Sequence, residues 1–164
     1  MSIDPSSTIT GAPDTRMAVL TDLANERTAC ADGRRFVAAH LARWEMPAQV
    51  SDEASLLTSE LIANAIRHAP PPLCLQVSVN DDVVRVHVHD SNPVAPVLTR
   101  PDFNSRGGRG VWLVDTLATR WGFQAQPPGK EVWFEISLAP RHDQHAAPGA
   151  GREHASGHGQ ILGS

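Results

Sequence analysis

The stretch SDEASLLTSELIANAIRHAP, residues 51–70, is the strongest structural signal in the chain, because it predicts one long helix. Ser51 is a good N-cap, and Asp52 and Glu53 place negative charge in the first turn. The prolines that follow cannot continue a helix and disfavour helical backbone in the residue before them. The helix is therefore predicted to end at Ala69.

One side of this predicted helix is apolar. At about 100° per residue, six of its residues fall within an arc of about 140°. They are Ala54, Leu61, Ile62, Ala65, Ile66 and Ala69. We expect this arc to face the core of the protein.

Glu60 and Asn64 lie four residues apart along one edge of the apolar arc, with Arg67 and His68 one turn further on. A carboxamide such as that of Asn64 offers an oxygen to a hard cation such as Mg²⁺. A carboxylate such as that of Glu60 can accept a proton from a hydroxyl group or a water molecule. The same spacing also fits a solvated helix edge, because this pair of residue types is a weak motif. The helix alone leaves both alternatives open.

Length and composition indicate one globular domain, since the chain has 164 residues, of which 41% are hydrophobic and 20% charged. Its net charge of −4 gives no reason to expect nucleic acid or an anionic membrane as a partner. The N-terminal segment lacks the basic and apolar regions of a signal peptide. We therefore expect a cytoplasmic protein in which Cys30 and Cys74 are reduced, buried thiols.

Apolar periodicity predicts the other elements. Apolar residues at helical spacing predict two more helices, at 28–44 and 110–120. Five strands are also predicted, at 17–23, 73–79, 84–90, 121–126 and 131–138, and a turn at 127–130 joins the last two. Apolar and polar residues alternate in the strands at 73–79 and 84–90, which predicts an antiparallel hairpin with one buried face.

The predicted elements define an α+β domain over residues 16–139, a two-layer sandwich with the three helices on one face of a mixed, mainly antiparallel sheet. The segments at 1–15 and 140–164 are polar and lack periodicity, so we expect a flexible N-terminus and a disordered tail.

A long segment rich in glycine and proline, SNPVAPVLTRPDFNSRGGRG, follows Asp90 and leads directly into the third predicted helix. Loops of this length inside a compact domain are usually functional or disordered. Glycines before a helix N-terminus let backbone N–H groups approach an anion, and the helix dipole favours that anion. A flexible loop followed by a helix start explains the same residues, so the segment alone does not decide between them.

Four motifs occur in a fixed order along the chain. They are SELIANAIRHA (59–69), VHVHDSNPVAP (86–96), GGRGVWLVDTLATRWG (107–122) and GKEVWFEISL (129–138). With FVAAHLARW (36–44), they resemble the GHKL or Bergerat-fold ATP-binding superfamily, which includes sensor histidine kinases, gyrase B and heat-shock chaperone ATPases. The chain is most similar to the small anti-sigma-factor serine/threonine kinases of bacteria, and the resemblance covers roughly residues 28–138.

The resemblance implies the Bergerat ATP-binding fold and a role for each matching residue. Asn64 would bind the Mg²⁺ that bridges the phosphates of ATP, and Glu60 would activate the attacking hydroxyl group. Asp90 would accept a hydrogen bond from the adenine amino group. The lid and its phosphate-binding N–H groups would come from Gly108, Arg109 and Gly110. Such roles suit phosphoryl transfer, which needs positioning and charge neutralisation more than covalent chemistry.

The resemblance also places six neighbouring residues at the ATP site. They are Arg67, His68, Asn92, Gly107, Val111 and Lys130. Two positions depart from the superfamily pattern. No glycine follows Asp90 in the adenine motif, and Glu131 stands where a threonine often helps to hold adenine.

The implied function is that of an ATP- and Mg²⁺-dependent kinase that phosphorylates an anti-anti-sigma protein and acts as an anti-sigma factor. The resemblance also makes a homodimer plausible. The alternative function is an ATP-binding protein-interaction module without kinase activity. A third hypothesis is an interaction protein that binds no nucleotide.

Overall fold

The computed structural model describes residues 15–23, 27–80, 82–96 and 109–139. These residues form three helices, which are α1 (Ala29–Arg43), α2 (Ala48–His68) and α3 (Arg109–Leu117). They also form five strands. The strands are β1 (Arg16–Leu23), β2 (Leu73–Asn80), β3 (Val83–Asp90), β4 (Arg120–Gln126) and β5 (Gly129–Ser137).

The strands form one sheet in the order β1-β2-β3-β5-β4, and each neighbouring pair is antiparallel. Helix α2 packs against α1, α3, β3 and β5, while α1 also packs against β1 and β2. The predicted two-layer α+β sandwich is confirmed. The sheet was expected to be mixed and mainly antiparallel, and its described pairings are all antiparallel.

The central hairpin confirms the alternation seen in the sequence. Val77 pairs with Val86 and Leu75 with Val88, and all four side chains are buried. The intervening residues on both strands point to the opposite face, since successive side chains of a strand alternate in direction. The apolar set of each strand therefore faces the helical layer.

Helix α2 begins at Ala48, three residues before the predicted start, so the N-cap assignment of Ser51 is wrong. Pro47 occupies the N-cap position instead, and the Ser51 amide donates to the Pro47 carbonyl at 3.0 Å. Proline suits a helix start because the first helical N–H groups have no partner within the helix. Asp52 and Glu53 consequently lie beyond the first turn.

The predicted apolar face of α2 is confirmed as the core face, because Ala54, Leu61, Ile62 and Ala65 are all buried. Its packing against α1 is close at Gly33. A Cβ atom at that position would lie 2.2 Å from Cδ1 of Ile62, which is itself buried. A side chain at this position would therefore require the buried Ile62 side chain to shift.

Two adjacent leucines of α2 provide a matched test of this packing. Leu57 is fully buried, whereas Leu56 is 43% exposed. We expect Leu57→Ala to lower the free energy of unfolding by about 2–5 kcal/mol, because it removes buried methyl groups and leaves a cavity. Leu56→Ala should change it by no more than about 0.5 kcal/mol. Urea unfolding followed by circular dichroism measures both, and equal effects would contradict the assigned face of α2.

Candidate functional site

Three elements converge where α2 ends, β3 ends and β5 begins. The turn after β3 is tied to α2, because Asn92 Nδ2 donates to the His68 carbonyl oxygen at 2.7 Å. The Asn92 amide donates to Asp90 Oδ1 at 2.8 Å, and the Val94 amide donates to Asn92 Oδ1 at 2.9 Å. Asn92 therefore connects the end of the sheet to the end of the helix that carries Glu60 and Asn64.

Asp90 forms a buried ion pair with Lys130. Lys130 Nζ lies 2.9 Å from Asp90 Oδ2 and 3.0 Å from Asp90 Oδ1, and it also donates to the Asn92 carbonyl oxygen at 3.0 Å. The side chains of Asp90 and Lys130 are only 1% and 2% exposed. Buried charges of this kind are found in pairs, because burying either charge alone is costly.

The start of β5 explains how Lys130 reaches Asp90. Asp90 and Lys130 are direct partners in the β3–β5 register. A Cβ atom on Gly129 would lie 1.8 Å from the Asp90 carbonyl oxygen, so the two backbones approach here as only glycine permits. The predicted turn at 127–130 is therefore too long, since Gly129 and Lys130 already belong to the strand.

Glu60 and Asn64 lie on the same helix as His68, about two turns and one turn before it, which places them about 12 Å and 6 Å from it along the helix axis. Both residues are half-buried. Helix α2 packs against β3, and its end is bonded to the turn that follows Asp90. Glu60, Asn64 and Asp90 therefore lie on the helical side of the same half of the sheet.

Helix α3 supplies the remaining described candidates. It begins at Arg109 and ends at Leu117, whereas the prediction was 110–120. Val111 is buried, and α3 packs against α2. Gly110 lies in the first turn of the helix, while the predicted lid residues Gly107 and Gly108 lie outside the described residues.

The structure brings together Asp90, Asn92, Lys130 and the backbone of His68 through direct hydrogen bonds. The Arg67 and His68 side chains are exposed at the end of α2. Sequence reasoning missed the pairing of Lys130 with Asp90. The available signal was the alternation in β5, where Lys130 shares a face with the buried residues Val132 and Phe134.

Glu131 lies on the opposite face of the sheet from Lys130, as alternation along β5 requires. Its Oε1 accepts from Gln124 Nε2 at 2.9 Å and lies 2.9 Å from His87 Nδ1. The departure from the superfamily pattern at this position therefore leaves the surroundings of the Asp90 carboxylate unchanged.

The charge of Glu60 affects the pKa of Cys30, a residue that the sequence predicted only to be a buried thiol. Burial raises the pKa of the Cys30 thiol, the nearby Arg34 charge lowers it, and the Glu60 carboxylate raises it further. The thiol also donates to the Ser59 carbonyl oxygen at 3.7 Å. Both cysteines are free thiols, as expected, but each is half-buried, so the prediction that they are buried is wrong.

A family comparison agrees with this arrangement. The model of the histidine kinase-like ATPase domain matches residues 23–136, which is well over half of the 164-residue chain. The chain therefore belongs to the histidine kinase-like ATPase domain family. No curated protein matches the chain. None of the described helices is long and apolar enough to cross a membrane.

Thiol alkylation tests the electrostatic contact between Cys30 and Glu60. Glu60→Gln removes a negative charge that raises the pKa of Cys30, so the pKa should fall and more thiolate should form near neutral pH. Because the thiolate is the nucleophile, alkylation of Cys30 by iodoacetamide should become faster. Mass spectrometry of the labelled peptides measures the rate.

Cys74 is the internal control for this experiment. Burial is the largest cause that raises the pKa of Cys74, and the charges of Glu131 and Asp22 raise it further. Glu60 is not among these causes, so Glu60→Gln should leave the alkylation rate of Cys74 unchanged. Arg34→Gln should slow alkylation of Cys30, because it removes a charge that lowers the pKa. An unchanged Cys30 rate in Glu60→Gln would show that the two groups do not interact.

Proposed function

We propose that this protein is an ATP- and Mg²⁺-dependent serine/threonine kinase that also acts as an anti-sigma factor. The observation that supports it best is the convergence of α2, β3 and β5 around the buried Asp90, in a chain of the histidine kinase-like ATPase family. The motifs of the chain most resemble those of bacterial anti-sigma-factor kinases. This resemblance supports the assignment as a serine/threonine kinase and anti-sigma factor.

Residue chemistry supports ATP as the ligand. An ionised carboxylate has about four acceptor positions. Lys130 occupies one position on each oxygen of Asp90, and the Asn92 amide occupies a second on Oδ1. One acceptor position on Oδ2 is left, which suits a single N–H donor such as the amino group of adenine. Asn64 would hold Mg²⁺ through its carboxamide oxygen.

In the proposed reaction, Glu60 accepts the proton of a serine or threonine hydroxyl group on the partner protein. The hydroxyl oxygen forms a bond to the γ-phosphorus, the bond to the leaving oxygen of ADP breaks, and the phosphoprotein is released. Mg²⁺ would supply charge neutralisation for the phosphate oxygens. Arg109, Gly110 and the preceding glycines Gly107 and Gly108 would close over the phosphates.

The proposed partner is a small anti-anti-sigma protein, a sigma factor, or both in alternation. We also propose a homodimer, in line with the same resemblance, and a cytoplasmic location, in line with the composition of the N-terminal segment. The net charge of −4 agrees with a protein partner rather than nucleic acid or an anionic membrane.

A second candidate is an ATP-binding interaction module without kinase activity. The observation that favours it is the burial of Asp90 and Lys130. A ligand can reach this carboxylate only after a local rearrangement, and the turn at 91–94 is hydrogen-bonded to both Asp90 and α2. Binding would then change a surface that a partner protein could recognise, with no need for phosphoryl transfer.

Two substitutions on α2 separate binding from catalysis. Asn64→Ala should lose most Mg-ATP binding and all phosphorylation, because it removes the proposed magnesium ligand. Glu60→Gln should keep Mg-ATP binding but lower the rate of phosphoryl transfer by about 10²–10⁴-fold, since a general base is lost. The measurements are calorimetric titration with Mg-ATP and transfer of radiolabelled phosphate to the co-purified partner.

Asp52→Asn is the matched control, because Asp52 is an exposed carboxylate on the same helix. This substitution should leave both measurements unchanged. Phosphoryl transfer at the wild-type rate by Glu60→Gln would rule out the catalytic role of Glu60. If the wild-type protein binds Mg-ATP but phosphorylates no partner it retains, the interaction-module function replaces the kinase. No binding of Mg-ATP would rule out both.

A further inference from the structure

Lys130 is the only lysine in the chain, and the other basic side chains among the 14 are arginines. It is also one of the most buried residues, with 2% of its side chain exposed. Arginine would bring a larger, planar group with five donors, whereas lysine brings a compact charge with three. The one lysine of the chain therefore supplies a compact charge at this buried position.

Asp90 and Asn92 hold the ammonium group of Lys130. Nζ lies 2.9–3.0 Å from both oxygens of Asp90, and it donates to the Asn92 carbonyl oxygen at 3.0 Å. The cation is thus paired with a carboxylate without any ligand. Asp90 is its charge partner, so Lys130 can influence a bound base through Asp90.

Asp90 is the group through which this influence passes. Paired with an ammonium group, its carboxylate has only acceptors to offer. A purine with an amino group at position 6, such as adenine, presents a donor to it. A purine with a 6-oxo group, such as hypoxanthine, presents an acceptor and is repelled.

We propose that Lys130 is a positioning residue that keeps Asp90 an acceptor-only contact and thereby sets a preference for 6-amino over 6-oxo purine nucleotides. This inference rests on the proposed binding of ATP at Asp90. Without Lys130, Asp90 is a buried carboxylate with no counter-charge, and such a group takes up a proton instead of remaining ionised. A carboxylic acid can donate as well as accept, so the 6-oxo purine is no longer excluded.

The shared contacts of Lys130 have a second consequence. Lys130 Nζ lies 2.9 Å from Asp90 Oδ2, and it is also bonded to the Asn92 carbonyl oxygen. A base that bonds to Oδ2 would use an atom that Lys130 already contacts. The surroundings of Lys130 Nζ therefore change when the nucleotide binds.

The first experiment measures nucleotide preference by calorimetric titration of the full-length protein with Mg-ATP and Mg-ITP, which differ only at positions 6 and 1 of the purine. The wild-type protein should bind ATP at least about tenfold more tightly than ITP, as expected for a site that pairs with a substrate N–H group. Lys130→Met, which keeps the length but not the charge, should reduce that ratio at least about tenfold. Lys130→Arg, which keeps the charge, should retain a preference for ATP.

The second experiment needs no variant at Lys130 and covers the case in which Lys130→Met does not fold. Protein labelled with ¹⁵N-lysine gives a single Nζ resonance, because the chain has one lysine. We expect this resonance to be protected from solvent exchange and to shift on saturation with Mg-ATP. Asp90→Asn should shift it in the free protein, because the ion pair is lost.

The outcomes distinguish this inference from the proposed function. If wild-type protein binds neither nucleotide, ATP binding itself fails and the inference falls with it. If it binds ATP but Lys130→Met keeps the wild-type ratio, the inference is overturned while ATP binding stands. An Nζ resonance that saturating Mg-ATP leaves unmoved also overturns the inference.

Discussion

A buried ammonium group and a buried carboxylate hold together the part of the molecule where the helical layer meets the end of the sheet. Removing one partner from such a pair typically costs about 3–5 kcal/mol, because the other charge is left buried and uncompensated. Lys130 also bonds the Asn92 carbonyl, and Asn92 in turn bonds the end of α2. One ion pair therefore positions β3, β5 and the turn after β3 relative to α2, the helix that carries Glu60 and Asn64. A buried ion pair is weak evidence for net stability, because a well-packed apolar pair of similar volume is often as stable.

Periodicity predicted the parts of the fold that depend on burial alone. The core face of α2 and the paired apolar faces of β2 and β3 follow directly from it, since a side chain at the wrong phase would place an apolar group in water. The boundaries were less predictable. Ser51 has the chemistry of an N-cap, yet α2 starts earlier because Pro47 also suits a helix start. Two positions therefore had local chemistry suited to a helix start, and the helix begins at the earlier one.

The candidate site also has a part that was predictable from the sequence and a part that was not. The strand end at Asp90 and the helix edge at Glu60 and Asn64 were predictable, because each lies within one element with a clear pattern. The contact between Asp90 and Lys130 was not, because it depends on the register of β3 against β5, and Gly129 was assigned to a turn. The same register shows that Glu131 faces away from Asp90, a distinction that a motif comparison cannot make. The sequence shows which residue types are present, whereas the strand pairing shows on which face of the sheet each side chain lies.

Helix α2 links the residues proposed for chemistry to the turn that follows Asp90. Its backbone fixes the spacing of Glu60, Asn64 and the His68 carbonyl, because each is separated by one helical turn. The His68 carbonyl accepts from Asn92, and the Asn92 amide donates to Asp90. Asp90 is therefore connected through one residue to the end of α2. The proposed proton acceptor, the proposed metal ligand and the anchor of the turn thus belong to one helix, so the helix backbone fixes their spacing along its axis.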